Sequence, residues 1–444
     1  MKIVIAGDGD TGSHLANTLS IENQDVVMIG SNRTHLEDLE ISCNLITHLG
    51  NAVSASDLKN CGVDGADLFV AVTNDENKNL ISAQIAKRCG AKRCVARVDS
   101  PEFIAAPSDE LFHDNGVDQL IYPERLAAED ISAFIRHNWV RDWFDVSHGE
   151  LIVVGVRING TSELAGKQLK DTVKGPRFFH VNALKRNDDI MIPRGDTEIL
   201  TGDILYFTVL PDDIGRLCEV CGGRQKKVRK LMITGGGRIT ENLLSIINGE
   251  YSVTIIDIDP DRCRYIASRY PDVVVVNTRA SDVTTLKDES IGSYDIFLAL
   301  TGSSEKNIVS CMVAREHGVE RTVARIEDLQ YIPEAESLMI DKIINKKLLN
   351  AGNILDSLMH TGHDETKCML LDNAEIIGLS AKSGSKIVSK PVSQLGLPKD
   401  ITIGGLIREG RGMLVEGSTR IEAGDHVIVF CKIGSLPKVE RLFR

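Results

Sequence analysis

The sequence has few aromatic residues and no long uninterrupted apolar stretch. Aromatic residues make up 5% of its 444 residues, with only two tryptophans, and no apolar run approaches the ~20 residues that span a bilayer. The first apolar run, Met1 to Ala6, meets Gly7 too early to form a signal peptide. These absences predict a cytoplasmic chain without direct membrane insertion.

An excess of basic charge is also missing. The chain has 51 Lys and Arg residues against 63 Asp and Glu residues, which gives a formal net charge of -12. Bulk attraction to nucleic acid or to anionic lipid is therefore not expected. The composition predicts no nucleic-acid partner, and it predicts that any membrane association runs through another protein.

The ten cysteines lack the density of a secreted disulfide framework. Most are expected to be buried small apolar residues. Cys218 and Cys221 form one CxxC pair, which could be redox active or half of a zinc site. No second CxxC and no nearby histidine pair completes tetrahedral ligation, so a structural role is favoured and no metal site is predicted.

An internal repeat organises the chain. The 30 residues from Ala71 recur from Ala299 at a constant offset of 228, and the same offset pairs Gly7 with Gly235. A later segment from Ile192 recurs from Leu414 at an offset of 222. Because a repeat at a fixed offset indicates duplicated structural units, the sequence predicts a tandem duplication in which each copy has two lobes.

The order of apolar segments predicts the fold of each lobe. In the first lobes, short apolar strands alternate with helical patterns, which is typical of a parallel sheet covered on both faces. The second lobes have alternating strands and Gly-Asp turns, as in small α+β modules. The predicted fold class is α/β, with two tandem Rossmann-like lobes that are each followed by a small α+β lobe. The predicted domains are residues 1–144, 145–227, 228–359 and 360–444.

Several helices can be predicted individually. The helix after Asn74 or Asp75 should bury Leu80, Ile81, Ile85 and Ala86 and end at Gly90; its copy should bury Ile308, Val309, Met312 and Val313. Linking helices are expected around Ala127 to His137 and Asp341 to Met359, the latter including Ile343 and Ile344. An apolar face exposed on these helices would favour pairing of subunits.

A glycine-rich turn follows the first strand. Gly7-Asp8-Gly9-Asp10-Thr11-Gly12 fits GxGxxG between a strand and a helix. In such a turn, the three glycines allow the tight turn, the close approach of a pyrophosphate and the packing of helix on strand. Free amides at the helix N-terminus hold the phosphates. The motif predicts a nucleotide site; the alternative is a glycine turn without a ligand.

The two copies of this motif diverge. An acid at the end of the second strand normally binds the ribose; the first copy has Gly30 there and no carboxylate, whereas the second has Asp257. The second loop, Gly235 to Thr240, has lost its third glycine, and Thr240 is expected to hold its helix off the strand. Small residues at Gly50 to Ala52 leave room for an adenine, where the second copy has bulkier Thr278 to Ala280. The first pocket is predicted to be more open, with a weaker ribose contact.

With these motifs together, the sequence resembles the TrkA family of regulatory subunits of Trk potassium-uptake systems. The segments GDGDTG, GNAVSASDL, AVTNDENKNL and VARV are similar to its nucleotide-binding RCK-N lobes, and IEAGDHVIVF is similar to its RCK-C lobes. The resemblance implies a cytosolic ring, expected to be a homo-tetramer, at the inner face of the cell membrane. It further implies docking on a TrkH-like potassium-translocating subunit, which the ring gates in response to NAD(H) or ATP/ADP.

The resemblance also implies the contacts of the nucleotide. Phosphate contacts fall on the two glycine loops, and ribose contact falls on Asp257, with Gly30 at the matching place in the first copy. Contacts to adenine or to the pocket rim fall on a third group of residues. The full set is Gly7, Asp8, Gly9, Asp10, Thr11, Gly12, Gly30, Asn51, Thr73, Asn74, Arg97, Gly235, Gly236, Gly237, Arg238, Ile239, Asp257, Thr301 and Arg325.

Two other functions compete with this one. A nicotinamide-dependent oxidoreductase would use the same motif, but it needs a substrate domain with a unique proton donor, and every lobe here has a copy. Histidines such as His14, His35, His48 and His113 have no histidine at the repeat offset, so no catalytic residue is predicted. The third possibility is a structural scaffold whose Rossmann-like lobes bind nothing.

Overall fold

The computed structural model describes residues 1–21, 24–105, 107–147, 149–172, 175, 177–187, 189–278, 290–359, 368–371 and 374–443. These residues form two compact units. One consists of Met1–Pro123, Lys347–Lys386 and Cys431–Arg444, and the other consists of Glu124–Lys346 and Ile387–Phe430. The four domain boundaries given above stay predictions.

The first lobe is a six-stranded parallel sheet covered by helices. Its elements are β1 (Lys2–Ala6), α1 (Asp10–Ile21), β2 (Asp25–Gly30), α2 (Arg33–Ser42), β3 (Ile46–Leu49), α3 (Ala55–Asn60), β4 (Leu68–Ala71), α4 (Glu76–Cys89), β5 (Arg93–Arg97), α5 (Ser108–Asp114), β6 (Gln119–Ile121) and α6 (Pro123–Arg136). The strand order is β3-β2-β1-β4-β5-β6. Residues Ile3 to Ala6 of β1 are fully buried, as expected for a central strand with helices on both faces.

The second lobe is an antiparallel module. Its elements are β7 (Asp142–Val146), β8 (Leu151–Arg157), β9 (Phe179–Arg186), β10 (Asp189–Met191), β11 (Ile204–Val209) and α7 (Ile214–Val220). The strand order is β10-β9-β11-β8-β7. Alternate residues of β8, from Ile152 to Val156, pack into the apolar core of this lobe with Phe207 and Leu217.

The third lobe repeats the first. Its elements are β12 (Lys230–Thr234), α8 (Arg238–Ile247), β13 (Ser252–Asp257), α9 (Pro260–Arg269), β14 (Val274–Asn277), β15 (Ile296–Ala299), α10 (Ser304–Glu316), β16 (Arg321–Arg325), α11 (Ile332–Ser337), β17 (Lys342–Ile344) and α12 (Lys346–Met359). The order β14-β13-β12-β15-β16-β17 matches that of the first sheet. The fold class and the duplication predicted from the sequence are therefore confirmed.

The fourth lobe contains β18 (Cys368–Leu371), β19 (Ala374–Ser380), β20 (Ile401–Arg408), β21 (Arg411–Leu414), β22 (His426–Lys432) and α13 (Leu436–Phe443). Like its counterpart, it has two antiparallel hairpins, β18 with β19 and β20 with β21. Two ion pairs mark the equivalence, since Arg186 binds Asp203 and Arg408 binds Asp425, each at 2.7 Å.

The second unit brings equivalent strands of the two small lobes together, because β9 contacts β20. His180 Nε2 lies 3.2 Å from Thr402 Oγ1, and these residues are separated by the repeat offset of 222. Equivalent positions of the repeat therefore contact each other where β9 meets β20.

Some local predictions were wrong. The buried face of α4 contains Leu80, Ala83 and Ala86, whereas Ile81 is 48% exposed; in α10, Val309 and Met312 are exposed as well. The prediction that Gly90 ends α4 is confirmed, with a left-handed φ of 115°. The spacing of apolar residues had placed Ile81 on the core face, but that face is filled by smaller side chains.

The linking helices also differ from the prediction. Ile343 and Ile344 belong to the edge strand β17, and the helix begins only at Lys346. The apolar side chains of α6, including Ile131, Phe134 and Ile135, are buried, so α6 does not present the exposed apolar face that would favour subunit pairing. Of α12, the structure describes side chains only as far as Ile354, which is buried.

Candidate nucleotide-binding sites

A cavity of about 480 Å³ lies at the carboxyl ends of β1 to β4 in the first lobe. It is lined by Gly7, Asp8, Gly9, Ile29, Gly30, Ser31, Gly50, Asn51, Ala52, Thr73, Asn74, Asp75 and Lys78. The strand order reverses between β1 and β4, which are neighbours in the sheet although β2 and β3 separate them in the sequence. Open parallel sheets bind their ligands at such a point.

The glycine loop approaches the sheet closely at its first residue. Gly7 has φ of +126°, and a Cβ there would lie 2.8 Å from Thr73 N. Its N–H donates to Ile29 O of the neighbouring strand. Only glycine fits this backbone without strain, as the motif predicted.

Seven of the residues predicted in the first copy line the cavity, namely Gly7, Asp8, Gly9, Gly30, Asn51, Thr73 and Asn74. The remaining four predicted residues there are not among its lining residues. Asp10 pairs with Lys347 at 2.8 Å, which lowers the pKa of this carboxyl, and Arg97 pairs with Asp99 at 2.8 Å. Thr11 and Gly12 lie in the first turn of α1.

Ile29, Asp75 and Lys78 also line the cavity, although no sequence pattern marked them as site residues. Asp75 was identified only as a helix cap, and it does accept hydrogen bonds from the N–H groups of Asn77 and Lys78. Lys78 recurs as Lys306 at the repeat offset, a signal that could have placed a cation at the mouth of the site.

Gly12 and Thr240 show how the helix packs in each copy. A Cβ at Gly12 would lie 1.9 Å from Gly7 O, so α1 packs directly on the loop. At the matching place, buried Thr240 donates its hydroxyl to Gly235 O at 2.5 Å. The third glycine of the motif is therefore replaced by a side chain that satisfies the same carbonyl.

The end of β2 has no carboxylate of its own, as the sequence indicates, but a carboxylate from another segment lies beside it. Asp8 reaches this point from the loop, and its Oδ2 accepts hydrogen bonds from Ser31 N at 3.0 Å and Asn32 N at 2.7 Å. A Cβ at Gly30 would lie 2.5 Å from the Asp8 carboxyl carbon. Gly30 is thus required by the side chain of Asp8, which occupies the place where a strand-end acid would stand.

The second copy has the opposite arrangement. Asp257 accepts a hydrogen bond from Gly236 N at 2.6 Å, and Gly236 is the residue that corresponds to Asp8. A Cβ at Gly236 would lie 3.3 Å from Asp257 Oδ2 and 2.5 Å from Ile266 Cδ1. Each copy therefore keeps one carboxylate between the glycine loop and the second strand, from a different segment.

Other parts of the second loop are also ordered by hydrogen bonds. Gly235 has φ of +97°, and Gly237 caps the start of α8, which begins with Arg238 and Ile239. Arg262 Nη1 donates to Gly236 O at 2.9 Å. The predicted bulky residues Arg279 and Ala280 lie outside the described residues.

The repeated threonines and asparagines form the same network in both copies. Asn79 accepts from Thr73 N and donates to Thr73 O and Arg97 O, while Asn307 bonds Thr301 and Arg325 in the same way. Arg325, like Arg97, pairs with an acid two residues later, Glu327. These contacts tie the ends of neighbouring strands together, which explains why the residues recur.

Two further features concern the described residues only. Their helices include none that is long and apolar enough to cross a membrane, and they hold no group of three or more His, Cys, Asp or Glu side chains suited to a metal. Cys218 and Cys221 are buried free thiols. Burial raises the pKa of Cys218, as expected for a packing residue.

Comparison with known protein families decides the relationship. The TrkA-N domain model matches residues 3–123 and 231–346, and the TrkA-C domain model matches residues 153–222 and 376–444. The chain belongs to the TrkA family. The Trk system potassium uptake protein TrkA homolog of Archaeoglobus fulgidus is 30% identical, with 100% of each chain covered. TrkA of Halomonas elongata is 28% identical over 100% of this chain and 99% of its own.

Solved structures show the same fold as this TrkA-family chain. The GsuK RCK domain superposes with a TM-score of 0.61 at 16% identity, covering 100% of this chain and 94% of its own. The GsuK channel bound to NAD gives 0.62 at 16% identity, covering 100% and 78%. The GsuK structure bound to ADP gives 0.51 at 15% identity, covering 81% and 70%. The tandem arrangement of parallel and antiparallel lobes is thus that of RCK proteins.

Proposed function

We propose that this chain is a nucleotide-binding regulatory subunit of a membrane potassium-uptake system. The observation that carries the proposal is the cavity at the first glycine loop, in a chain that belongs to the TrkA family over its full length. The relatives are named as potassium uptake proteins. GsuK, which shares the fold, has structures with NAD and with ADP.

The regulatory ligand in this proposal is NAD(H) or ATP/ADP. Its phosphates bind at the amides of Gly7 to Thr11 and of Gly235 to Ile239, where helix N-termini favour anions. In the first site, the ribose contacts Asp8, and the adenine occupies the space beside Asn51. In the second site, the ribose contacts Asp257. The remaining predicted contacts, at the rims of the two pockets, belong to the same proposal.

The proposal extends to the assembly. The chain acts as a homo-oligomer, with a tetramer as the specific expectation, and docks on a TrkH-like translocating subunit at the inner face of the membrane. Nucleotide binding without turnover is expected, so the chain is not an enzyme. The four predicted domains, 1–144, 145–227, 228–359 and 360–444, are the parts that move in this ring.

The first unit contains a route by which a ligand could bias the conformation. Lys347, the second residue of α12, forms an ion pair with Asp10 at the start of α1. Asn353, also in α12, accepts a hydrogen bond from Gln119 of β6 at 2.8 Å. A phosphate bound at the start of α1 therefore lies next to a contact with a linking helix. The ligand can shift the ring only by its difference in affinity between two states, commonly about 1–3 kcal/mol.

Calorimetric titration with NADH, NAD, ATP and ADP tests the proposal. A matched pair of variants is available, because a Cβ at Gly9 would meet only the Asn74 side chain, at 4.0 Å, and a Cβ at Gly237 would meet nothing within 4 Å. Gly9→Ala and Gly237→Ala should both fold, while the added methyl group blocks the approach of the pyrophosphate. We expect binding in the micromolar range and a loss on the order of tenfold or more at the altered site.

Two results would contradict the proposal. One is the absence of binding of all four nucleotides to the unaltered chain, which would favour a structural scaffold. The other is steady consumption of NADH with a small substrate that Gly9→Ala abolishes, which would favour an oxidoreductase. Potassium uptake in cells that co-express the translocating subunit provides the functional measurement, and it should change when Gly9→Ala replaces the unaltered chain.

A further inference from the structure

A larger cavity lies within the second unit, and neither glycine loop contributes a residue to its lining. It has a volume of about 810 Å³ and is lined by the small lobe that contains β8 and by the parallel-sheet lobe that contains β15 and β16. Trp139 and Tyr294 are among its lining residues. The volume is large enough for a small-molecule ligand.

The lining carries more basic than acidic side chains. The basic residues are Arg141, Arg157, Arg224, Lys226 and Arg321, and the acidic residues are Asp295, Glu320 and Asp341. All three acids are already engaged. Glu320 pairs with Lys226, Asp341 pairs with Arg321 at 2.7 Å, and Asp295 accepts hydrogen bonds from two backbone N–H groups.

Arg157 is a lining basic residue that has a buried nitrogen without a partner, although the charges of Glu336 and Asp341 partly offset those of Arg141 and Arg315 around it. It is the last residue of β8, opposite Ile204 of β11, and its Nη2 atom is buried without a hydrogen-bond partner among the described residues. Burial, together with the charge of Arg141 nearby, lowers the pKa of Arg157. A buried guanidinium nitrogen without a partner is costly, so its position at the wall of the cavity favours an anion that is not part of the chain.

The duplication shows that the fold does not require this arginine. Strand β19 is the counterpart of β8, with seven residues and a glycine at the fifth position, and its last residue is Ser380. The same strand end is therefore built without a cation in the other small lobe. Arg157 is a property of the first small lobe, which is the one that lines the cavity.

We infer that this cavity binds a phosphate-bearing small molecule, with its phosphoryl group at the Arg157 guanidinium. Arginine suits this role because its planar fork offers parallel N–H donors to phosphate oxygens. Trp139 and Tyr294 offer apolar surface to the rest of the ligand. The site is separate from the glycine loops, so the chain would respond to a second anionic effector.

Titration calorimetry with inorganic pyrophosphate tests this inference in a full-length Gly9→Ala/Gly237→Ala background, in which the glycine loops are blocked. We expect pyrophosphate to bind and to raise Tm. Arg157→Met should weaken binding on the order of tenfold, and it should raise the Tm of the ligand-free chain because the unpartnered buried nitrogen is removed. Arg157→Lys keeps the charge without the fork and should give an intermediate loss.

Arg224→Met is the matched control, since Arg224 lines the same cavity but is solvent-exposed. It should change affinity less than about threefold, because an exposed charge is screened. Unchanged pyrophosphate affinity in Arg157→Met, or equal losses in Arg157→Met and Arg224→Met, would overturn the inference. Equal binding of sulfate would also overturn it, since the site would then be a general anion site. Failure of nucleotide binding at the glycine loops would leave these outcomes unaffected.

Discussion

Both copies place a carboxylate between the glycine loop and the second strand, but the carboxylate comes from a different residue in each copy. In the first copy, a loop residue, Asp8, reaches over a glycine at the end of β2; in the second, a strand-end residue, Asp257, reaches over a glycine in the loop. The steric requirement is reciprocal, because each carboxylate occupies the space that a Cβ on the opposing glycine would enter or closely approach. A carboxylate can therefore be preserved at a site although no single position preserves it.

The two small lobes differ in a similar way. They share the ion pairs Arg186–Asp203 and Arg408–Asp425, which fix the turn before the last strand. At the contact between β9 and β20, however, His180 meets Thr402. The two copies thus share the ion pair that stabilises each small lobe. They differ at the residues through which the lobes contact each other and at the residue that lines the cavity.

The largest expected effect comes from forcing the first loop to resemble the second. Gly12→Thr places a Cβ 1.9 Å from Gly7 O, whereas Thr240 is accommodated at the matching position. We expect Gly12→Thr to lower the free energy of unfolding by about 3 kcal/mol, at the upper end of overpacking costs. Urea denaturation measures this change.

The reverse substitution is the control for that experiment. Thr240→Gly removes one hydrogen bond and adds a glycine to a helix, so the expected loss is about 1–2 kcal/mol. If Gly12→Thr unfolds at the same urea concentration as the unaltered chain, α1 does not pack on Gly7 as closely as described.

The next largest expected effect is a pH dependence of the free energy of unfolding that arises from His180 in the first small lobe. Burial, with a smaller effect of Arg177, lowers the pKa of His180 to about 4. Since the unfolded pKa is about 6.5, protonation favours the unfolded chain, and stability that is complete above pH 6.5 falls as the pH drops toward 4. Between pH 7 and pH 5 the expected loss is about 2 kcal/mol.

Urea denaturation across this pH range measures the loss, with His180→Thr as the comparison. This variant copies Thr402 and should show a smaller decline over the same interval, because the titrating group is gone. Parallel pH profiles for the two proteins would show that His180 does not hold the lowered pKa in the folded chain.

A smaller effect is expected on nucleotide affinity when the carboxylate of the first site is moved from position 8 to position 30. Gly30→Asp alone should weaken nucleotide binding at the first site on the order of tenfold, because the new Cβ meets the Asp8 carboxyl at 2.5 Å. Asp8→Gly/Gly30→Asp copies the second loop and should restore affinity to within about threefold.

Calorimetric titration with NADH and ATP measures this cycle, with Asp257→Ala as the control in the second site. Asp257→Ala should weaken binding there on the order of tenfold, because a charge-assisted hydrogen bond is lost. If Asp8→Gly/Gly30→Asp binds no better than Gly30→Asp, the two carboxylates are not equivalent.

The sequence predicts much of this molecule because the main signals are local and duplicated. The apolar strands, the glycine at φ +126° and the left-handed end of α4 at Gly90 each follow from residue type and spacing. The edge strands β6 and β17 were missed because three residues give no usable period. Their pairing depends on the neighbouring strand and not on their own sequence.

The features of the site that the sequence did not indicate have a different origin. Gly30 led to the prediction of a weaker ribose contact because the motif was compared position by position, whereas Asp8, whose carboxyl reaches the end of β2, lies 22 residues earlier. Arg157 gave no signal at all, since nothing in β8 marks its last residue as facing a cavity instead of solvent. Groups that meet only through tertiary structure lie beyond any local pattern.

The smallest expected effect concerns the charge at the start of the two helices. Asp10 pairs with Lys347, and this contact lowers the pKa of Asp10; the matching residue of the second copy is Arg238, which has the opposite charge. A lowered carboxyl pKa contributes stability above the unfolded value of about 4, which is lost as the pH falls through the folded value. The Asp10 side chain is 77% exposed, so solvent screens most of this contribution.

Asp10→Asn should therefore lower the free energy of unfolding at pH 7 by only about 0.5 kcal/mol in low salt, and the difference should disappear at high salt. Arg238→Gln, the matched change at the start of α8, should leave stability unchanged or raise it slightly, because a cation opposes the helix dipole there. Urea denaturation at two salt concentrations measures both. A loss above 1 kcal/mol for Asp10→Asn that persists in high salt would contradict this expectation, because salt screens an exposed ion pair, and the Asp10 side chain would then hold α1 against α12 by contacts that do not depend on its charge.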